Sequence, residues 1–392
     1  MKRSILCILA LALGAAAAAA QSLDDLNIQI HGYATQGFLY TTQNNIFTTS
    51  SSNGSPAWTE AVLNVTAQPI PKLRIGVQAR YFLLGNFGNA ITLDWAAADY
   101  KANDKFGVRF GKVKTPSGLF NEVQDIDPSY MWSLLPQGIY PITSRNSILS
   151  HYGGVVYGTL NLQKAGKVEY RGWGGERVIA GNDGYFLSAG ETGTSFPNGY
   201  KGIIYGAALH WRTPLPGLML GASLLHSNAN INPLILAVPG FGTFNATADG
   251  DASGTPQYFG KFEKSKFMIA GEYIRQEVHV STVVPEVFTE VGRQDTRSWY
   301  GMATYKLTDK LTAGAYDTQY IDKAVTDVIN SGTNRYSKDW VLSGRYDFNQ
   351  YLYAKAEQHF IDGTAIVYDM DLNPGGIKPT TKLTILKIGV SF

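Results

Sequence analysis

The chain has 392 residues with Lys+Arg 33 against Asp+Glu 31, and the two counts become equal once Lys2 and Arg3 are set aside. Near-neutrality gives no support for a nucleic-acid partner, and a single cysteine, Cys7, leaves the rest of the chain without disulfides or thiolate metal sites. Tyr 23, Phe 18, Trp 7 and Gly 42 make an aromatic, glycine-rich chain, and no linker, charge block or shift in composition divides it.

The N-terminus, MKRSILCILALALGAAAAAAQS, has two basic residues, an apolar run and a series of alanines. This is the layout of a secretory leader, 1–20, cleaved after Ala20 and carrying Cys7 away with it. The remainder, 21–392, reads as one domain. After the leader no apolar stretch reaches the roughly 18 residues of a membrane-spanning helix.

From there the chain falls into runs with a two-residue period. PKLRIGVQARYFL from Pro71 sets Leu73, Ile75, Val77, Ala79, Tyr81 and Leu83 on one face and Arg74, Gln78 and Arg80 on the other. Near the C-terminus, KLTILKIGVSF sets Leu386, Ile388, Val390 and Phe392 opposite Ile385, Lys387, Gly389 and Ser391. Such segments are strands with one oily and one polar face. In chain order they are predicted at 28–40, 57–68, 72–84, 90–100, 106–114, 149–162, 167–178, 200–212, 218–227, 256–262, 266–280, 296–307, 311–320, 338–346, 351–361 and 382–392. That makes sixteen.

Short connections rich in Pro, Gly, Asn and Asp, such as KANDK at 101 and TPLPG at 213, alternate with long polar ones at 41–56, 115–148, 179–199, 228–255, 281–295, 321–337 and 362–381. Turns therefore lie at one end of an antiparallel sheet and loops at the other. An open sheet of that width would expose two edges, and lipid tolerates no unpaired backbone group. The prediction is an all-β, 16-stranded antiparallel transmembrane β-barrel with short periplasmic turns and long external loops. Tyr33, Tyr40, Trp95, Tyr100, Phe106, Trp211, Tyr258, Trp299 and Trp340 fall near strand ends, where aromatic girdles sit.

The ending ILKIGVSF, with Phe392 terminal, resembles the C-terminal signature of Gram-negative outer-membrane barrels. IQIHGYATQGF from Ile28 and VRFGKVKTPSGLFNE from Val108 are similar to the first strand and the strand-five exit of the porin superfamily, including relatives of the phosphate-selective porins. Over its mature length the chain resembles the sixteen-stranded trimeric porins. It lacks the Pro-Glu-Phe-Gly-Gly signature of the general porins and the arginine-dense wall of a phosphate channel. The resemblance implies export to the outer membrane among lipid and lipopolysaccharide, a homotrimer joined through the first and last strands, with His31 and Gly32 allowing close approach, and a third loop folded into the lumen.

Residues 115–148 hold no sustained period and form that third loop. Pro116, Pro128, Pro136 and Pro141 deny it ladder hydrogen bonds, while Leu119, Phe120, Met131, Trp132, Leu134 and Leu135 can pack it against the wall. Its charged residues Glu122, Asp125, Asp127 and Arg145 then face a wall carrying Arg74, Arg80, Arg109, Arg171, Arg345, Lys355 and Lys387. Opposed charges across a water-filled gap would give a transverse field favouring small polar solutes, with a weak anion preference. A channel specific for phosphate, another small anion or a sugar, and a barrel-mounted receptor or adhesin, are the alternative functions.

No catalytic constellation emerges. His226 and Ser227 are adjacent in a strand and so point to opposite faces, no glycine-rich phosphate cradle occurs, and NATADGDASG from Asn245 reads as a solvated external loop, with Asp249 and Asp251 but no distal glutamate for calcium. No cofactor, metal site or enzymatic activity is expected.

Overall fold

The computed structural model describes residues 26–189, 193–325, 330–366 and 371–392; the predicted leader lies outside them. In chain order the strands are β1 Gln29–Thr41, β2 Ser55–Ile70, β3 Leu73–Leu84, β4 Asn89–Asn103, β5 Phe106–Lys114, β6 Ser150–Asn161, β7 Lys167–Ile179, β8 Thr194–Ser195, β9 Tyr200–Arg212, β10 Leu218–Val238, β11 Gly242–Lys264, β12 Phe267–Val284, β13 Phe288–Lys306, β14 Leu311–Asp322, β15 Tyr336–Asp347, β16 Leu352–Gly363 and β17 Thr380–Ser391. Sixteen of these form the antiparallel ring. The two-residue β8 is an appendage paired to the upper part of β10, while β7 pairs directly with β9.

The ring closes where β1 meets β17, in register from Tyr33↔Ser391 to Thr41↔Leu383. Gly32 and Phe392 complete the seam by exchanging backbone hydrogen bonds of 3.1 and 3.0 Å. A Cβ on Gly32 would stand 2.8 Å from Phe392 Cζ. The space at this glycine is taken by the chain's own terminal ring, which corrects its expected use as a point of close approach for a second copy.

A band of apolar residues faces outward around the ring. Ile91 and Phe110 are 78% and 75% exposed, and Leu386, Ile388 and Val390 about half exposed. With no sheet edge left unpaired around the ring and an oily belt outside, the architecture suits lipid and not water. No helix of the described residues is long and apolar enough to cross a membrane.

Three expectations need correction. The segments 228–255 and 281–295 are not loops: β10 to β13 run 21, 23, 18 and 19 residues, against 12 for β14 to β17, and stand beyond the rim as a four-stranded wing. Asp249 and Asp251 belong to its ladder, and no metal-holding group of His, Cys, Asp or Glu exists among the described residues. Tyr33 and Trp95 are not girdle residues. Tyr33 is buried inside, and a register shift opposite Gln78 and Ala79 carries one extra residue in β4, so that both Asp94 and Trp95 point into the lumen.

The remaining loops also depart from the expected polar exterior. Ile46, Phe47, Phe87 and Leu372 fold inward and pack with Leu39, Trp58, Phe82, Leu84, Ile361, Leu383 and Ile385, filling the outer half of the lumen along β1–β3, β16 and β17.

Candidate functional site

The third loop, 115–148, lies in the lumen. Its entry is set by Gly118, which adopts φ +66 and sits so close to the wall that a Cβ would stand 2.4 Å from Gln257 Nε2, 2.6 Å from Tyr140 Oη and 2.7 Å from Glu272 Oε2. These side chains form one network. Ser117 Oγ donates to Gln257 Oε1 (2.8 Å), Gln257 Nε2 donates to Glu272 Oε2 (2.7 Å), and Tyr140 and Tyr300 hydroxyls both donate to Glu272 Oε1 (2.6 and 2.5 Å). Replacing Gly118 by Ala combines a left-handed backbone with displacement of this network, and is expected to weaken the seating of the loop by about 1–3 kcal/mol. Noisier single-channel current with unaltered barrel migration on gels would show it.

Past the entry, the loop lays an apolar pad on the wall. Met131, Trp132, Leu135, Ile139 and Tyr140 bury against Ala270, Tyr300, Met302, Tyr316 and Val341, with Leu119 and Phe120 at the margin. Leu134 turns to the other apolar cluster. The Trp132 and Tyr316 rings meet edge to face at 4.9 Å. These lumen-facing apolar residues on β12–β15 have a partner only because the loop covers them.

The polar contacts fix the loop's position around much of the circumference. Asp127 accepts hydrogen bonds from Lys355 Nζ and Lys387 Nζ (2.9 Å each) and from Tyr353 Oη (2.7 Å). Lys355 also donates to the Trp132 carbonyl (2.9 Å), and Arg345 to the Pro128 and Tyr130 carbonyls (2.7 and 3.0 Å). Glu357 receives the Ser133 and Leu134 backbone N–H groups (2.6 and 3.1 Å). Across the lumen, Asp125 pairs with Lys114 (2.7 Å) and accepts from Gln78 (2.7 Å), while Arg145 grips Asp94 with two hydrogen bonds of 2.9 and 2.8 Å.

These contacts correct the picture of opposed charges across a water-filled gap. Asp125, Asp127, Arg145, Arg80, Lys355 and Lys387 are buried and directly paired, Arg80 with Glu60 at 2.6 Å. A charge sealed in a contact ion pair fastens the loop and meets no permeating ion. The water-facing charges lie on the other flank. Glu122, 28% exposed at its side chain, bridges Arg109 (2.8 Å) and Arg171 (3.4 Å); Arg109 holds Asp99 (2.9 Å), and Arg171 and Arg212 hold Glu169 (3.2 and 2.5 Å). Arg74 is exposed and donates only to Thr66 Oγ1 (3.2 Å), with no carboxylate partner among the described residues.

All seven predicted wall bases point inward, and all four loop charges contact the wall or its bases. Lys114, Glu60, Asp99, Tyr353, His359 and Asp339 escaped prediction, whereas Glu357, read from the alternation of its strand as an inward acid, does lie on the lumen wall. Lys114 is the last residue of its strand, at the edge of the aperiodic loop, and Glu60 shares a face with Trp58 and Val62, which reads as oily. His359, held by Asp339 (2.7 Å) and Glu357 (3.3 Å), gives no signal in a one-dimensional reading. On the side of the short turns, a cavity of ≈ 560 Å³ opens beneath the loop between β1–β5, lined by Arg74, Asp99, Arg109, Lys114, Glu122 and Trp95 among others.

No family model and no curated protein matches the sequence. Solved structures do match the fold. OmpT, an outer membrane protein of Vibrio cholerae, aligns at TM-score 0.58 and 13% identity over 95% of this chain and 99% of that one. OmpF of Salmonella typhi, in complex with daunomycin, aligns at 0.56 and 14% over the same shares, and the outer membrane channel DcaP of Acinetobacter baumannii at 0.52 and 12%, again over 95% and 99%. With the ring, the oily belt and the inward loop already described, these likenesses show that the chain has the fold of the Gram-negative outer-membrane porins, a 16-stranded transmembrane barrel.

Proposed function

We propose that the protein is a water-filled diffusion channel for small hydrophilic solutes and ions, without enzymatic activity, seated in outer-membrane lipid. The observation that carries this reading is the loop pinned inside the lumen, leaving a charged, solvated flank beside it. A sixteen-stranded ring is too wide for wall side chains to fill, so the loop sets the passage. One of the neighbouring OmpT structures, at TM-score 0.56, is titled a trimer form, and supports a homotrimer here.

The water-facing set on the flank counts Arg74, Arg109, Arg171 and Arg212 against Asp99, Glu122 and Glu169, which supports a weak anion preference. A unit charge 4 Å away in water is worth about 1 kcal/mol, on the order of a fivefold change in local ion concentration. Glu122→Gln is therefore expected to move the zero-current potential across a planar bilayer further toward anions by up to that ratio, with little change in step size. A clear cation preference of the unaltered protein would refute the selectivity, and electrical silence of folded, reconstituted protein would refute the channel in favour of a surface receptor carried on a barrel.

A further inference from the structure

The cavity beneath the loop is more apolar than a wet stretch of pore requires. Trp95 stands on its wall, where a Cβ on Gly76 would come within 2.8 Å of the Trp95 Cζ3 and Cη2 atoms, so the indole rests against bare glycine backbone. Val62 and Val113 line the same cavity, and Ile126 on the loop above it is 37% exposed. One exposed isoleucine would mean little. Sharing a cavity of ≈ 560 Å³ with an indole and two valines, it completes an apolar slot with a few polar groups at its side, the usual build of a small-molecule site.

Those polar groups are placed in an unusual way. Arg74 and Asp99 are directly opposed residues of β3 and β4, a position at which opposite charges can pair. Here they do not. Arg74 turns to Thr66 Oγ1 at 3.2 Å and has no carboxylate partner among the described residues, while Asp99 accepts from Arg109 Nε (2.9 Å) and from the Tyr157 hydroxyl. One contact to each Asp99 oxygen leaves both with acceptor capacity. The charged side chains lining the cavity are also balanced, Arg74, Arg109 and Lys114 against Asp99, Glu122 and Asp125. Such a site gains nothing from a net charge on the solute. It suits a solute that carries both signs at once.

We propose that this cavity binds an α-amino acid with an aromatic side chain. Arg74 takes the carboxylate and Asp99 the ammonium through charge-assisted hydrogen bonds, and the ring lies in the slot against Trp95. An α-amino acid holds its two charges on neighbouring atoms of one carbon, which suits groups on directly opposed residues, whose Cβ atoms stand about 4.5–5.5 Å apart. The inference rests on the reading of the lumen as a solvated passage, and names the solute that pauses in it.

The test uses the full-length protein folded in detergent, titrated with L-phenylalanine and with three comparison probes, binding being read by saturation-transfer NMR. 3-Phenylpropionate lacks the ammonium, 2-phenylethylamine lacks the carboxylate, and glycine lacks the ring. A hydrogen bond to a charged group is worth on the order of tenfold in affinity, and burial of a phenylalanine side chain on the order of 30-fold. L-Phenylalanine is therefore expected to bind more tightly than either singly charged analogue by the first ratio and more tightly than glycine by the second. Arg74→Gln removes an exposed side chain with a single hydrogen-bond partner. It is expected to bring L-phenylalanine down to the level of 2-phenylethylamine and to leave 2-phenylethylamine itself unchanged, a pattern that general loosening of the barrel does not produce. Equal binding of L-phenylalanine and its two singly charged analogues, or undiminished L-phenylalanine binding by the variant, overturns the proposal. Conducting steps from protein that binds no L-phenylalanine would refute the site and leave the channel, whereas binding by protein that never conducts would refute the channel and leave the site.

Discussion

Asp127→Asn is expected to release the lumen loop. Asp127 is the one anion shared by Lys355 and Lys387, and all three side chains are almost wholly buried. Removing one partner of a buried ion pair costs about 3–5 kcal/mol, because the remaining charges are left unpaired out of water. The barrel does not depend on this contact, since its closure rests on the β1–β17 ladder. The cost therefore falls on the loop: larger and noisier single-channel steps, with heat-modifiable migration on gels retained. Acid acts on the same carboxyl. Burial raises its pKa, but the two lysines and their hydrogen bonds outweigh burial and hold it well below the usual carboxylate range. A depressed folded value means that its contribution is fully present above the ordinary aspartate pKa of about 3.9 and is lost only as pH falls through the lower value. Step size of the unaltered protein should stay constant from neutrality to about pH 4 as far as this group is concerned, whereas the Asn variant is already loosened at pH 7.

Trp132→Ala tests the other half of the anchor. Trp132 is 1% exposed and presses on Tyr316 within the apolar pad. Deleting a buried aromatic side chain costs about 3–5 kcal/mol through lost transfer energy and the cavity left behind. The expected result is again an enlarged, fluctuating conductance, but one independent of pH in the range where Asp127 stays ionised. Because the Lys355 hydrogen bond to the Trp132 carbonyl uses backbone and survives the substitution, pairing it with Asp127→Asn should give less than additive loss: residues that share one seat couple when either is removed.

The strands were legible because lipid outside and water inside impose the two-residue period on nearly every one; 106–114 and 200–212 coincide with β5 and β9. What pattern reading missed depends on relations between segments. The extra residue beside Asp94 shifts the register against β3 and turns Trp95 into the lumen, which no alternation within β4 alone reveals. The wing on β10–β13 looked like loops because both of its faces stand clear of lipid, so Asp249, Asp251 and Arg293 alternate with residues that carry no oily signal. For the site, the inward loop and its charges were readable from the missing period, its prolines and the resemblance to porins. Which charges face water was not. Asp127 and Glu122 look alike in sequence, but one meets Lys355 and Lys387 from distant strands and is sealed, while the other sits between two half-buried arginines at the edge of solvent.

The position of the loop inside the ring is the claim on which the channel reading turns, and a short bis-thiol bridge measures it most directly. Ser133 in the loop and Ser343 on β15 both reach Glu357 Oε1, through the Ser133 N–H at 2.6 Å and the Ser343 hydroxyl at 3.0 Å. Cys7 is the single native cysteine, so Ser133→Cys with Ser343→Cys, in protein lacking the leader, introduces the two thiols on an otherwise thiol-free background with little change in volume. The structure predicts efficient bridging in the folded barrel, seen as altered migration after denaturation, and steady single-channel steps in the bridged protein. Failure to bridge, with the thiol introduced in the loop freely modified by a bulky reagent added outside, would contradict it.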